Sequence, residues 1–190
     1  SYSGDDKYDG FTSDSKNVTI PKASVPGGED AINVTAPQGT DSPTYSINLP
    51  GATGNLTVTV DGKDKYTQAL VNGSASVTVP GLSQGDHNIT VTYSGDAKFS
   101  SLTKDTTFHV PVVKLSENKD VTALYTANAY YKVRVTVDGK AMAAGEKVVI
   151  NFNGKNYEAK TDKNGYASFK LPIVAPKSAK YPITATYKDV

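Results

Sequence analysis

The chain has no cysteine and no tryptophan, a single methionine and only two histidines. Without cysteine there is no disulfide framework and no thiolate metal site, so any core must be built from aliphatic and tyrosine side chains. No apolar run approaches the roughly 20 residues that span a bilayer, and the N-terminal "SYSGDDKYDG" has neither the charged start nor the apolar stretch of a signal peptide. An export signal or anchor is therefore expected outside this stretch. An excess of one charge is also missing, with 20 Lys and Arg against 19 Asp and Glu, which points away from nucleic acid and from anionic membranes as partners. Helical patterning is absent too: no long segment keeps apolar residues at i, i+3 and i+4.

What is present is alternation. Tyr45, Ile47 and Leu49, then Leu56, Val58 and Val60, then Val77 and Val79, then Ile89, Val91 and Tyr93, then Phe108 and Val110 recur with period two. The positions between them are mostly Thr, Ser and Asn, which suit the wet face of an antiparallel strand. Turn signals fall between these runs at "LPGATGN", "VDGKDK", "VNGS" and "VPGLSQGD", where Asn-Gly and Asp-Gly supply the positive φ of tight hairpins. Short strands at this spacing predict an all-β fold of antiparallel sandwiches rather than a βαβ fold. A second series follows: Tyr131, Val133, Val135 and Val137; Val148, Ile150 and Phe152; Ala167, Phe169 and Leu171; Ile183, Ala185 and Tyr187. The expected division is 1–21, a terminal strand segment of a preceding repeat; 22–112, one sandwich; and 113–190, a second sandwich without its last strand. "VPVVKL" (110–115) reads as the short linker, and two domains tied so closely predict a rod.

One heptapeptide occurs almost twice. "YSGDAKF" at 93–99 is echoed by "YSGDDKY" at 2–8. With Gly95 for the turn, Asp96 to bind turn amides and Phe99 to cover the sandwich end, it is expected to be the loop between the last two strands, first at the end of a preceding repeat and then inside the complete one.

At "GNLTVTVDGK", "GSASVTVPGLSQGDHNITVTYSGDAKF" and "TTFHV" the first domain resembles the group 3 bacterial Ig-like repeats of large adhesin-like surface proteins, notably of methanogenic archaea. The resemblance covers 22–112 and extends to "YSGDDKY...NVTIP" in 1–21. Residues 113–190 are similar in general style to Ig-like stalk domains, with "TDKNGYASFKL" as their best piece. Tandem Ig-like sandwiches are thus expected, and the resemblance implies an extracellular, cell-surface or wall-associated, elongated and non-enzymatic role. It implies a stalk that holds a distal binding region, for a surface glycan or protein, away from the cell and bears tension.

Candidate chemistry is sparse. His87 and His109 have no HExxH-like companion and no nucleophile set around them, and read as ordinary surface residues. Asp5, Asp6 and Asp9 could offer oxygens to calcium, but the internal copy keeps only Asp96, so turn carboxylates are the better reading and no cofactor is expected. Five Asn-x-Ser/Thr sequons, at Asn17, Asn33, Asn55, Asn72 and Asn88, are candidate glycan acceptors. Lys132, Lys147 and Asn151 are out of phase with the inward residues of their strands, which argues against an isopeptide staple. The rival to a spacer is a binding module whose tyrosines, Tyr125, Tyr130 and Tyr131, stack on a sugar or partner surface. Because "YTANAYYKV" contains both strand phases, at least one of Tyr130 and Tyr131 should be exposed. Finally, two readings of the N-terminal segment stay open: it lies on its own first domain, the boundaries being only where this stretch is cut, or it donates a strand to the second domain of another molecule, with Val18 and Ile20 entering its core and a head-to-tail chain as the result.

Overall fold

The structure is a computed structural model that describes residues 1–124, 128–172 and 180–187. A small antiparallel hairpin, β1 (Tyr2–Gly4) and β2 (Asp9–Phe11), comes first. Residues 12–22 form no strand, and a 3-10 turn at Gly28–Ala31 leads into the first sandwich. Its strands are β3 (Ile32–Thr35), β4 (Thr44–Asn48), β5 (Asn55–Val60), β6 (Asp64–Ala69), β7 (Ser74–Thr78), β8 (Gly85–Tyr93) and β9 (Leu102–Val110). One sheet has the order β3-β4-β7 and the other β6-β5-β8-β9, every pair antiparallel.

The alternation in sequence is the alternation of burial. Tyr45, Ile47, Leu56, Val58, Val79, Ile89, Val91 and Tyr93 are buried between the two sheets, while the Thr and Ser positions beside them face outward. Outward threonines meet across strands, as Thr57 and Thr67 do at 3.0 Å between hydroxyls. The Asp-Gly and Asn-Gly turns carry positive φ at both central residues, at 61–62, 72–73, 138–139 and 153–154, the backbone twist that two-residue hairpins require.

The second core holds β10 (Val113–Ser116), β11 (Ala129–Val137), β12 (Lys140–Ala141), β13 (Lys147–Phe152), β14 (Lys155–Lys160), β15 (Tyr166–Leu171) and β16 (Ile183–Thr186). β11 pairs with β10, with the short β12 and with β15; the facing sheet has the order β14-β13-β16. Tyr131, Val133, Val135, Val148, Ile150, Phe152, Ala167 and Phe169 are buried between them. The path repeats that of the first sandwich: β10, β11 and β15 stand where β3, β4 and β7 do, and β14, β13 and β16 where β6, β5 and β8 do. Among the described residues β16 pairs with β13 alone, whereas its counterpart β8 also pairs with β9. The expected linker is mostly strand: β9 runs to Val110 and β10 starts at Val113, leaving only Pro111 and Val112 between them.

Candidate functional site

Three places gather polar chemistry: the duplicated loop, the junction of the two sandwiches, and the exposed strand positions. In the loop after β8, the Asp96 Oδ1 accepts the amides of Lys98 and Phe99 at 2.8 and 2.7 Å, and the amide of Asp96 donates to the Phe99 carbonyl. Its Oδ2 reaches across the sandwich end to the Thr53 amide at 2.8 Å, which together with the turn amides holds the carboxyl well below the usual carboxylate range. Gly95 has φ 74°, and a Cβ there would lie 2.8 Å from the Ser101 nitrogen, so the copy of this glycine at Gly4 is no accident of composition. Tyr93 is fully buried and its hydroxyl donates to the Thr53 carbonyl.

The N-terminal copy has the same internal geometry. Asp5 Oδ1 accepts the amides of Lys7 and Tyr8, both at 2.9 Å, and the Asp5 amide donates to the Tyr8 carbonyl. Its neighbours differ: Tyr8 is exposed where Phe99 packs on a core. The Asp5 carboxylate is thus occupied by turn amides, and among the described residues no group of three or more His, Cys, Asp or Glu is placed to hold a metal ion.

At the junction His109 is exposed, as the sequence reading has it, but both of its ring nitrogens have partners. His109, on β9, has its Nδ1 2.6 Å from Asp86 Oδ1 of the neighbouring strand and its Nε2 3.0 Å from Asp138 Oδ1, in the turn after β11 of the second sandwich. Asp138 Oδ1 also accepts the Val112 amide at 2.9 Å, and the Asp138 amide donates back to the Val112 carbonyl. The Asp86 and Asp138 carboxylates push the His109 pKa up, and the Val112 amide and His109 hold that of Asp138 down. For His87 the surface reading is corrected. It is buried, with Nδ1 2.8 Å from Asp61 Oδ2 and Nε2 2.8 Å from the Ser83 carbonyl, and the Asp61 carboxylate pushes its pKa up.

The tyrosine pair is divided by strand phase. Tyr130 is 53% exposed, whereas Tyr131 is 2% exposed, packs on Phe169 and donates its hydroxyl to Asn118 Oδ1 at 2.6 Å. Tyr131 is a core residue because the β11–β15 register sets it opposite Phe169 on the inner face, so it cannot stack on an external ligand. Tyr125 lies outside the described residues. Asn17, Asn33, Asn55, Asn72 and Asn88 are all exposed. Lys132, Lys147 and Asn151 face outward, and the Lys147 ammonium pairs with Glu158 of the adjacent strand at 2.6 Å. Val18 and Ile20 are 85% and 87% exposed, in a segment that packs on neither core.

Residues 23–111 match the family described as the bacterial Ig-like domain (group 3). That segment is a bacterial Ig-like domain. Among solved structures, the chain is similar to one described as giving structural insight into host cell surface retention of a 1.5-MDa bacterial ice-binding adhesin, with 18% identity over 70% of this chain and 47% of that one, at a TM-score of 0.29. The D0-D1 domain of Intimin is 21% identical over 80% of this chain and 85% of its own, at a TM-score of 0.31. A Ca2+-stabilized adhesin that helps an Antarctic bacterium reach out and bind ice is 19% identical over 73% and 39%, at 0.32. The chain thus spans less than half the length of both ice-binding adhesin chains. A comparison with curated proteins finds no match. No helix among the described residues is long and apolar enough to cross a membrane.

The histidine contacts were missed in sequence because they depend on register. Asp86 and His109 are direct cross-strand partners between β8 and β9, a pairing that composition does not reveal. The one legible signal was the repeated "VDGK": Asp61 and Asp138 both open such turns with left-handed φ, and each aims its carboxylate at a histidine.

Proposed function

We propose that this chain is a non-enzymatic stalk segment of an extracellular, adhesin-like surface protein, a spacer that presents a distal binding region and carries tension. The observation that carries the reading is how the entry and exit of the first sandwich are tied. The chain enters at Ala23, which lies parallel to Phe99, donating its amide to the Lys98 carbonyl at 2.8 Å and accepting from the Ser100 amide at 2.9 Å. A few residues on, the Lys104 ammonium of β9 donates to the carbonyls of Glu29 and Ile32 at 3.1 and 3.0 Å. The exit, Val110, continues along the same final strand. Pulling entry and exit apart loads these contacts along the strands, so several must fail together. Load then passes through two residues and the Asp138–Val112 and Asp138–His109 bonds into the next core.

Single-molecule pulling of the 190-residue chain tests this. Two separate rupture events are expected, since the two cores share no residue, and Lys104→Met should lower the force of one of them. One cooperative event for the whole chain, or a force unchanged by Lys104→Met, contradicts the load path.

The exposure of Tyr130 favours a second reading, a module that binds a surface glycan or protein through an aromatic platform. Selective binding on a glycan array that disappears in Tyr130→Ala would support it. Binding by neither protein would leave the spacer.

A further inference from the structure

The balanced total charge conceals an uneven distribution. Residues 1–112 carry 7 Lys against 12 Asp and Glu, whereas 113–190 carry 13 Lys and Arg against 7 Asp and Glu. Much of that surplus lies on one sheet. β3, β4 and β7 of the first sandwich contain no charged residue, and their outward positions are Ser, Thr and Asn. β10, β11 and β15, which stand in the same places, contain Lys114, Lys132, Arg134 and Lys170 and no carboxylate.

Strand phase sends all four cations outward. Tyr131, Val133, Val135, Ala167 and Phe169 are buried, so Tyr130, Lys132, Arg134, Ser168 and Lys170 lie on the opposite face, and Lys114 joins them opposite Thr136. The register sets Lys170 across from Tyr130, and Lys132 follows two residues along β11, so the exposed ring has a lysine on two sides. From Tyr130 to Thr136 the face runs about 20 Å, at roughly 7 Å per outward step. Arg134 is fixed in place: its Nε donates to the Asn164 carbonyl at 3.2 Å, its guanidinium lies 5.5 Å from the Tyr166 ring centroid, and its Nη1 is 3.7 Å from Glu117. Glu117 in turn accepts the Tyr166 hydroxyl at 2.9 Å. Asp162, the carboxylate that Lys132 influences, accepts the Asn164 and Tyr166 amides at 2.8 and 3.0 Å. Among the described residues no hydrogen bond or ion pair takes up Lys114, Lys132 or Lys170.

We infer that this face binds an anionic polysaccharide whose sugars carry carboxylates, with Tyr130 stacking on a sugar ring and Lys132, Lys170 and Lys114 meeting successive carboxylates. Charge complementarity and length select the occupant. Cations spread along about 20 Å of sheet do not converge on one small anion, so the fit is to an extended polymer. Strand amides lie in the plane of the sheet, so the face offers no nest of amides to cradle a phosphate. The exposed ring supplies what a sugar needs and an acidic polypeptide does not, a flat apolar surface beside the charges. The inference rests on the second reading above, that Tyr130 belongs to a binding surface, and names the class of ligand.

Biolayer interferometry of the 190-residue chain tests it, on immobilised polygalacturonate, on dextran as a neutral polymer and on polyphosphate as a polyanion without sugar. Polygalacturonate should bind best, with affinity falling about tenfold as salt rises from about 50 mM to about 300 mM. Lys132→Gln with Lys170→Gln should weaken binding by about tenfold and Tyr130→Ala by about fivefold. Both thermal transitions should stay in place, since none of these side chains belongs to a core. Lys63→Gln with Lys65→Gln, on the first sandwich, should change nothing. No binding to polygalacturonate overturns the inference; if dextran binds instead and Tyr130→Ala abolishes it, the reading of Tyr130 as a binding residue survives. Equal affinity for polyphosphate, or an equal loss in the Lys63 and Lys65 variant, also overturns the inference, because charge alone would then account for the binding.

Discussion

His109 of the first sandwich lies with its Nε2 3.0 Å from Asp138 Oδ1 of the second, while its Nδ1 faces Asp86 at 2.6 Å. Two acceptors on opposite ring nitrogens are both satisfied only by the doubly protonated imidazolium. The folded pKa is raised, so the stabilising contribution is complete below the ordinary histidine value of about 6.5 and is lost as pH rises through the folded value. NMR titration of the His109 ring should give a midpoint above that ordinary value, and Asp138→Asn should bring it down. A midpoint unchanged in Asp138→Asn would mean that the two domains do not share this contact in solution.

Cavities should report to one domain each. Leu56→Ala and Ile150→Ala remove side chains with no exposed surface from separate cores, and each should cost about 2–5 kcal/mol in its own unfolding transition. Calorimetry that shows either variant lowering both transitions equally would contradict two independent cores.

The twin aspartates should behave differently. Asp96 links its own turn to Thr53 across the sandwich end, whereas Asp5 binds the amides of its own turn and Tyr2 of the same small hairpin, and reaches neither sandwich. Asp96→Ala should lower the first-domain melting temperature clearly at neutral pH, and Asp5→Ala should leave both transitions unchanged. Because the Asp96 pKa is depressed, its contribution is present above the ordinary carboxylate range and is lost only as pH falls through the lower folded value.

Glycans, if the native chain carries them, should sit on the five exposed sequon asparagines, the last of which is Asn88. Mass spectrometry of peptides from native protein checks this. Sugar on any peptide from 113–190 would contradict it.

Much of this was legible in the sequence, because a half-buried antiparallel strand writes its geometry as period two. Leu56, Val58 and Val60, or Val148, Ile150 and Phe152, announce both strand and inner face, and Asp-Gly and Asn-Gly mark where the chain turns back. The side chains that join strands were less legible. Which of Tyr130 and Tyr131 faces inward follows from a pairing with β15 some 40 residues away, and His109 becomes a junction residue only once β8, β9 and the turn after β11 are assembled. The turn duplicated at Asp5 and Asp96 was readable because all of its turn-closing bonds lie within four consecutive residues.

The tie at Ala23 also sets how far the chain gives way once it fails. With no cysteine, no disulfide shortens the path between Ala23 and Val110. Rupture therefore frees roughly 90 residues, which at about 3.3–3.6 Å each run out to on the order of 300 Å. Each folded sandwich is in that sense a stored length, released in one step by any pull that exceeds what its ties can hold.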